Sequence, residues 1–490
     1  MEQKHKKSLK INAILNIIQT VASMVFPLLT FPYSSRILGV ENIGKYNFGN
    51  SIVSYFVLLA GLGISTYGIR EGVKYRDCRE KFELFVRDVF SINLYSMLFS
   101  YFLLSICLLF VPQLAKYRVV IFVLSSQILF VTLGRSWICV VYEDYVFVTV
   151  RTIIFYFILL GLLFVVVRSE GDLNNYCIIN VLGVVSINIL NILYNRKYCN
   201  YTLNIRPNLR HLKPILLFFS VAVSTVIYTN SDIVILGFIS SDWNVGLYSV
   251  SVKVYNIIKQ LLAAILTVAI PRFSYYIGKK DIKKFNDLIF NISNTLVIII
   301  FPVVIGLICE AEDIIYILSG EGYINASESL QILSVAIIFN LFAYMFGYCI
   351  LIPFNREGKF LKATVISAVC NVILNMILIP RFYQNAAAAT TLIAEIIASI
   401  VCYYYSHDVI SKFLQRKNIL ITLVGCIYIL GVCIYIHKYV LVSRFLQFVI
   451  SVFLSGLGYF LIQCGFHNTF FMIGFENILH RIKKHESITK

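Results

Sequence analysis

Charge is what this 490-residue sequence has least of. Asp, Glu, Lys and Arg together make up 14% of it, against about 25% in an ordinary soluble protein. By contrast 59% of the residues are hydrophobic, and the mean hydropathy is +0.81. Too few polar residues are present to cover a surface in water, which excludes a water-soluble enzyme of any fold. Low hydrophobicity is equally missing, so intrinsic disorder is excluded. The 12 cysteines lie scattered, without a CxxC or any paired spacing. They read as small hydrophobes inside helices. No polar segment is long enough to form a domain that uses the net charge of +17 on nucleic acid. No small-residue cleavage site follows the first apolar stretch, which is too long for a secretory signal and is expected to remain as the first span.

What is present is a succession of apolar runs. A spanning helix needs about 20 such residues, and the length leaves room for about 12 to 16 of them with their loops. The runs fall near 9–37, 46–68, 84–110, 119–140, 145–167, 176–194, 214–238, 246–270, 288–308, 330–352, 362–380, 385–405, 419–436 and 445–464. The expected fold class is therefore an all-α polytopic membrane protein with about 14 transmembrane helices. With fourteen spans the loops alternate between two sides, and 29 of the 42 Lys and Arg residues fall on the side of the N-terminus. Seven fall on the other side and six lie within spans. That asymmetry puts both termini in the cytoplasm, since one missed span would invert every later loop. The outer side carries an acidic segment, CEAEDIIYILSGEGYINASES, with Glu310, Glu312, Asp313, Glu321 and Glu328 and no Lys or Arg. An interfacial helix is expected over IIYIL. The tail after His467 is apolar and then basic, as in a segment lying on the cytoplasmic membrane surface.

An internal echo organises the spans. ILGVENIGKYNFGNSI (37–52) recurs in outline as ILGFISSDWNVGLYSVSVKV (235–254). Each has ILG ending one span, a short outer loop, and a Gly-x-Tyr opening the next, at Gly44–Tyr46 and Gly246–Tyr248. The offset equals six spans on the same side, a parallel repeat about the membrane normal. Two six-helix lobes follow, 1–213 with spans one to six and 214–411 with spans seven to twelve. Residues 412–490 add spans thirteen and fourteen and a basic tail.

Three stretches then carry a resemblance: FPYSSRILGVENIGKYNFGNSIVSYFVLLAGLGISTYGIRE (31–71), SDIVILGFIS with VGLYSVSVKVYNIIKQLLAAILTVAIPRFS (231–274), and Tyr383 through AAAATTLIAE (386–395). Together they resemble the bacterial polysaccharide flippases, the O-antigen and capsule repeat-unit translocases of the multidrug/oligosaccharidyl-lipid/polysaccharide exporter superfamily. The resemblance implies two six-helix lobes plus two helices, and alternating access that moves polyprenyl-pyrophosphate-linked oligosaccharide repeat units across the bacterial cytoplasmic membrane for surface polysaccharide synthesis. It also implies partners among polysaccharide polymerases and glycosyltransferases. The cluster of lumen arginines in the lipid II flippase branch is not matched here residue by residue, so phosphate-binding positions carry over by type only.

A flippase breaks no covalent bond. It must shield a diphosphate and sugars from hydrocarbon, which calls for Arg or Lys in the cavity, with Asn, Ser and aromatic faces beside them. The six in-span basic residues are Arg36, Arg87, Arg135, Arg151, Lys253 and Lys259. Charges in spans are costly and face protein or water. Arg36, Arg135, Asn230, Asp232, Lys253 and Lys259 are the cavity candidates, while Arg87 and Arg151 lie near the cytoplasmic side, where they can snorkel. Asp232 and Glu395, carboxylates deep in spans, are candidates for coupling to H+ or Na+, the alternative being a helix-packing pair. No cofactor or resident metal is expected. Pro27 and Pro32 offer a bend in span one. A cation-coupled drug or metabolite antiporter of the same superfamily needs an acidic cavity, whereas the in-span charge is mainly basic. A membrane-embedded oligosaccharide polymerase needs a larger outer loop than the one before span ten.

Overall fold

The computed structural model describes residues 9–200, 202 and 208–472. In lipid every backbone polar group must be satisfied within the chain, and unbroken helix is how this sequence does it. Among the described residues, twelve helices are long and apolar enough to cross a membrane. Two of them are double. α1 (Leu9–Gly61) continues through Pro27 and Pro32 and breaks at Gly39, whose φ of 73° suits a residue without Cβ. α13 (Glu357–Ser406) breaks at Tyr383, with φ 49° and ψ −127°. The breaks separate the first span from the second and the eleventh from the twelfth, so the fourteen expected spans are all present. Helices of this number and length make the chain a multi-pass membrane protein.

The chain packs as two compact units, 1–249 and 250–490. In the first unit α1 is followed by α2 (Ile64–Gly72), α3 (Arg79–Phe110), α4 (Arg118–Gly134), α5 (Trp137–Val141), α6 (Tyr145–Val166), α7 (Leu173–Asn195), α8 (Leu212–Ile239) and the first turns of α9 (Asp242–Gly278). Small polar residues hold these helices together. On α3, Asn93, Ser96 and Ser100 lie on one face and donate to the carbonyls of Ala60, Leu59 and Phe56 on α1, at 2.6, 2.5 and 2.7 Å. Apolar side chains gain little from leaving lipid for a neighbouring helix, so bonds of this kind, each averaging about 0.6 kcal/mol, select the partner face. Large apolar residues such as Phe110, Phe122 and Phe157 stay outward, 71–77% exposed, as a lipid-facing surface requires.

The second unit contains the rest of α9, then α10 (Ile282–Cys309), α11 (Ala311–Ser319), α12 (Ala326–Tyr344), α13, α14 (Arg416–Tyr439) and α15 (Arg444–Gly465). α11 is the short helix expected over IIYIL. A π-helical stretch, Met345–Leu351, extends α12. Arg356 forks onto Asp408 at 2.7 and 2.6 Å and ties the start of α13 to the turn after it. All twelve cysteines are free thiols. The basic tail beyond residue 472 lies outside the described residues.

Candidate functional site

The two echoed loops meet. A Cβ placed on Gly44 would lie 1.9 Å from the carbonyl oxygen of Asp242, and one on Gly246 would lie 2.2 Å from that of Val40. Each glycine of the repeat therefore lets its backbone approach the loop that carries the other. Side chains reinforce the contact: Lys116 pairs with Asp242 at 2.8 Å, and the Tyr117 hydroxyl donates to the same carboxylate. The tyrosines that follow the glycines turn inward. Tyr46 packs edge-on against Tyr176, and the Tyr248 hydroxyl donates to Asp232 Oδ2 at 2.8 Å.

Asp232 is 7% exposed, so the Tyr248 bond offsets part of the cost of burying a carboxylate. Asn230, two residues earlier, spends its amide on its own helix, donating to Val226 O and to Thr229 Oγ1 at 3.3 and 3.1 Å.

In the second unit, Lys259 and Glu395 fall into one cluster. Glu395 is 2% exposed, and its Oε1 accepts from Asn340 Nδ2 at 2.7 Å and from Tyr255 OH at 3.1 Å. The Lys259 ammonium lies 4.5 Å from the centroid of the Tyr255 ring and feels the Glu395 charge. One tyrosine thus touches both charged residues, and the cluster draws on α9, α12 and α13. A second polar ladder, absent from the sequence reading, runs along α13. Asn375 donates to Asn371 Oδ1 at 3.1 Å, Thr390 donates to Asn375 Oδ1 at 2.5 Å, and Ser367 donates to the Ala394 carbonyl at 2.7 Å. The signal available was Ser367, Asn371 and Asn375 at intervals of four in an otherwise apolar span.

The remaining basic residues are spread out. Arg36 is exposed on α1. Arg135 is 3% exposed, takes a left-handed backbone at the break after α4, and lays its guanidinium 3.5 Å from the centroid of the Phe90 ring. Lys253 is half-buried on α9. Arg151 belongs to a polar network of the first unit, donating to Ile187 O at 3.0 Å and to Asn191 Oδ1. Asn195 on the same α7 stripe bonds the carbonyls of Gly134 and Arg135, both at 3.3 Å. Arg151 also borders a cleft of about 640 Å³ between α6 and α7 whose other walls are mostly apolar.

Three comparisons bear on this arrangement. Residues 9–277 match the family model described as polysaccharide biosynthesis protein. A protein of Escherichia coli (strain K12) named for O-antigen transport is 24% identical over 400 residues, which is 80% of this chain and 95% of that one. A Haloferax volcanii protein named as a flippase of low-salt glycan biosynthesis is 26% identical over 232 residues, 47% of this chain and 49% of its own. Among solved structures, the lipid II flippase MurJ in an inward closed conformation superposes with a TM-score of 0.77 at 17% identity, covering 93% of this chain and 99% of that one. An inward-facing multidrug resistance transporter of the MATE family gives 0.58 at 15% identity, over 81% and 97%. The first of these shows the fold, two lobes and a C-terminal helix pair.

Proposed function

The chain belongs to the polysaccharide biosynthesis protein family, and from that premise we propose that it is a flippase for lipid-linked oligosaccharide repeat units. It carries polyprenyl-pyrophosphate-linked glycan from the cytoplasmic to the outer leaflet by alternating access, for surface polysaccharide assembly. The observation that carries this reading is the family match over residues 9–277, which contains both Gly-x-Tyr motifs. The E. coli relative, matched along 95% of its length, points the same way.

The moving parts are the lobes 1–213 and 214–411, with residues 412–490 as an appendage. Their outer loops approach each other through Gly44 and Gly246, a contact that must open when cargo leaves outward. Arg36, Arg135, Lys253 and Lys259 provide positive charge for the diphosphate, and Asn230 and Asp232 provide polar groups for the sugars. Asp232 and Glu395 are the carboxylates through which H+ or Na+ couples to the cycle. Membrane lipids surround the helices, and a polymerase or glycosyltransferases receive or supply the cargo.

The test is complementation in a strain lacking its own repeat-unit flippase. Expression is expected to clear lipid-linked repeat units that accumulate on the inner leaflet and to restore surface polysaccharide. Failure to clear any of a range of glycans, with the protein present in the membrane, contradicts the reading.

A further inference from the structure

Where α10 ends and α11 begins, Glu310 and Asp313 face His437 of α14. His437 Nε2 lies 3.2 Å from Asp313 Oδ2 and 3.7 Å from Glu310 Oε2, and one donor atom from each residue falls within 4.8 Å of the other two. Ligands about 2.0–2.2 Å from a tetrahedral metal lie roughly 3.3–3.6 Å from one another; the two separations from His437 fall close to that range, and the two carboxylates lie within 4.8 Å of each other. We propose that Glu310, Asp313 and His437 form a binding site for a divalent transition-metal ion of the Zn2+ class. It lies on the outer side by the distribution of basic residues and shares no residue with the cargo-binding candidates named above.

The surroundings favour a cation over a simple contact. Both carboxylates are buried, with side chains 3% and 6% exposed. Glu310 Oε2 has no hydrogen-bond donor of its own, while Oε1 accepts from the Ser451 hydroxyl of α15. One carboxylate oxygen is thus anchored and the other is directed toward the imidazole. His437 Nδ1 lies 2.9 Å from the Cys433 carbonyl. That partner makes Nδ1–H the donor, so Nε2 is the nitrogen that either donates to Asp313 Oδ2 or, once its proton is lost, ligates a metal, with the Nδ1 bond as the usual support for a metal-binding histidine. A protonated imidazole can balance one ionised carboxylate, whereas a divalent ion can balance two. The nearby outer cations are engaged with rings: Lys438 lies over Tyr439 and Arg444 over Tyr316.

One imidazole with two carboxylates suits Zn2+ and its neighbours better than Ca2+, which takes an all-oxygen shell of six to eight ligands. The fourth position is left to water, and His437, at the edge of the cluster with 36% of its side chain exposed, provides the entry. Ion binding would clamp α14 to the α10–α11 corner, and α15 through Ser451.

The experiment uses full-length, tag-free protein in detergent, stripped with chelator and titrated with Co2+. One Co2+ per chain is expected, with visible absorption of a low-coordinate site that Zn2+ abolishes by displacement. Zn2+ is expected to raise the thermal midpoint of the wild type. His437→Gln and Asp313→Asn, each checked for an unchanged size-exclusion profile, are expected to weaken Co2+ binding at least ~10-fold and to lose the Zn2+-dependent midpoint shift. His407→Gln, on an exposed residue elsewhere, is expected to change neither. If the wild type takes up no stoichiometric metal, or if both cluster variants bind it as well as the wild type, the site is a protonated His437 bridging two carboxylates and the proposal is wrong.

Discussion

Glu395 shows how a single buried carboxylate organises its neighbours. Tyr255 and Asn340 both donate to one of its oxygens, and Lys259 lies within range of its charge. Glu395→Ala removes the acceptor that buried Tyr255 and half-buried Asn340 share, which is expected to cost about 1–3 kcal/mol. Glu395→Gln keeps an acceptor oxygen and is expected to cost less. In detergent the thermal midpoint should fall further for Ala than for Gln. If Glu395 couples the cycle to an ion, the Gln variant loses the ion dependence of transport, and unchanged dependence removes Glu395 from that role. At this scale residue types are legible in the sequence and their pairings are not. Lys259 and Glu395 were legible as charges inside spans. Tyr255 was one of 32 tyrosines, with nothing to separate it from an interfacial belt. The Asp313–His437 contact joins residues 124 positions apart, beyond the reach of any local pattern.

Among the elements, the paired loops after the first and seventh spans make the sharpest case. The Gly-x-Tyr echo was visible in the sequence, whereas its cause, glycine against the opposing backbone, emerged only from the folded chain. Gly44→Ala forces a Cβ into the Asp242 carbonyl. Overpacking of this kind costs about 1–3 kcal/mol, enough to deplete the state containing the contact roughly 5- to 150-fold. Accumulation of lipid-linked repeat units is the readout, and transport is expected to drop accordingly. Gly61→Ala on the same helix meets nothing within 4 Å and is expected to behave as wild type. A second element-level case is the start of α10. Asp281 caps it by accepting from the Lys284 backbone N–H at 3.1 Å, and that bond holds its carboxyl below the usual aspartate range. The folded pKa is lowered, so the cap stabilises fully above the ordinary aspartate pKa and is lost as pH falls through the lowered one. Asp281→Ala is therefore expected to be less stable than wild type at neutral pH, and the difference should vanish in strong acid. Thermal midpoints taken across pH check it.

For the whole molecule, apolar run length and basic-residue placement made the architecture legible. Lipid leaves the backbone no alternative to helix, so each span had to show itself as a run. The two places where runs merged, Gly39 and Tyr383, are kinks within continuous helices, and the fourteen spans survive them. Packing divides the chain at 249/250, whereas the sequence echo leads one to expect a division at 213/214; α8, expected to open the second repeat, packs against α1 and α2 of the first unit. Movement of a lipid-linked glycan between leaflets is measured most directly in proteoliposomes. Purified protein is reconstituted with a polyprenyl-pyrophosphate-linked oligosaccharide, and a membrane-impermeant glycosidase is added outside. Active protein is expected to let the enzyme reach nearly all of the glycan over time, while protein-free vesicles stop at the outer-leaflet half. Digestion that stops at the same half with folded protein present would contradict it.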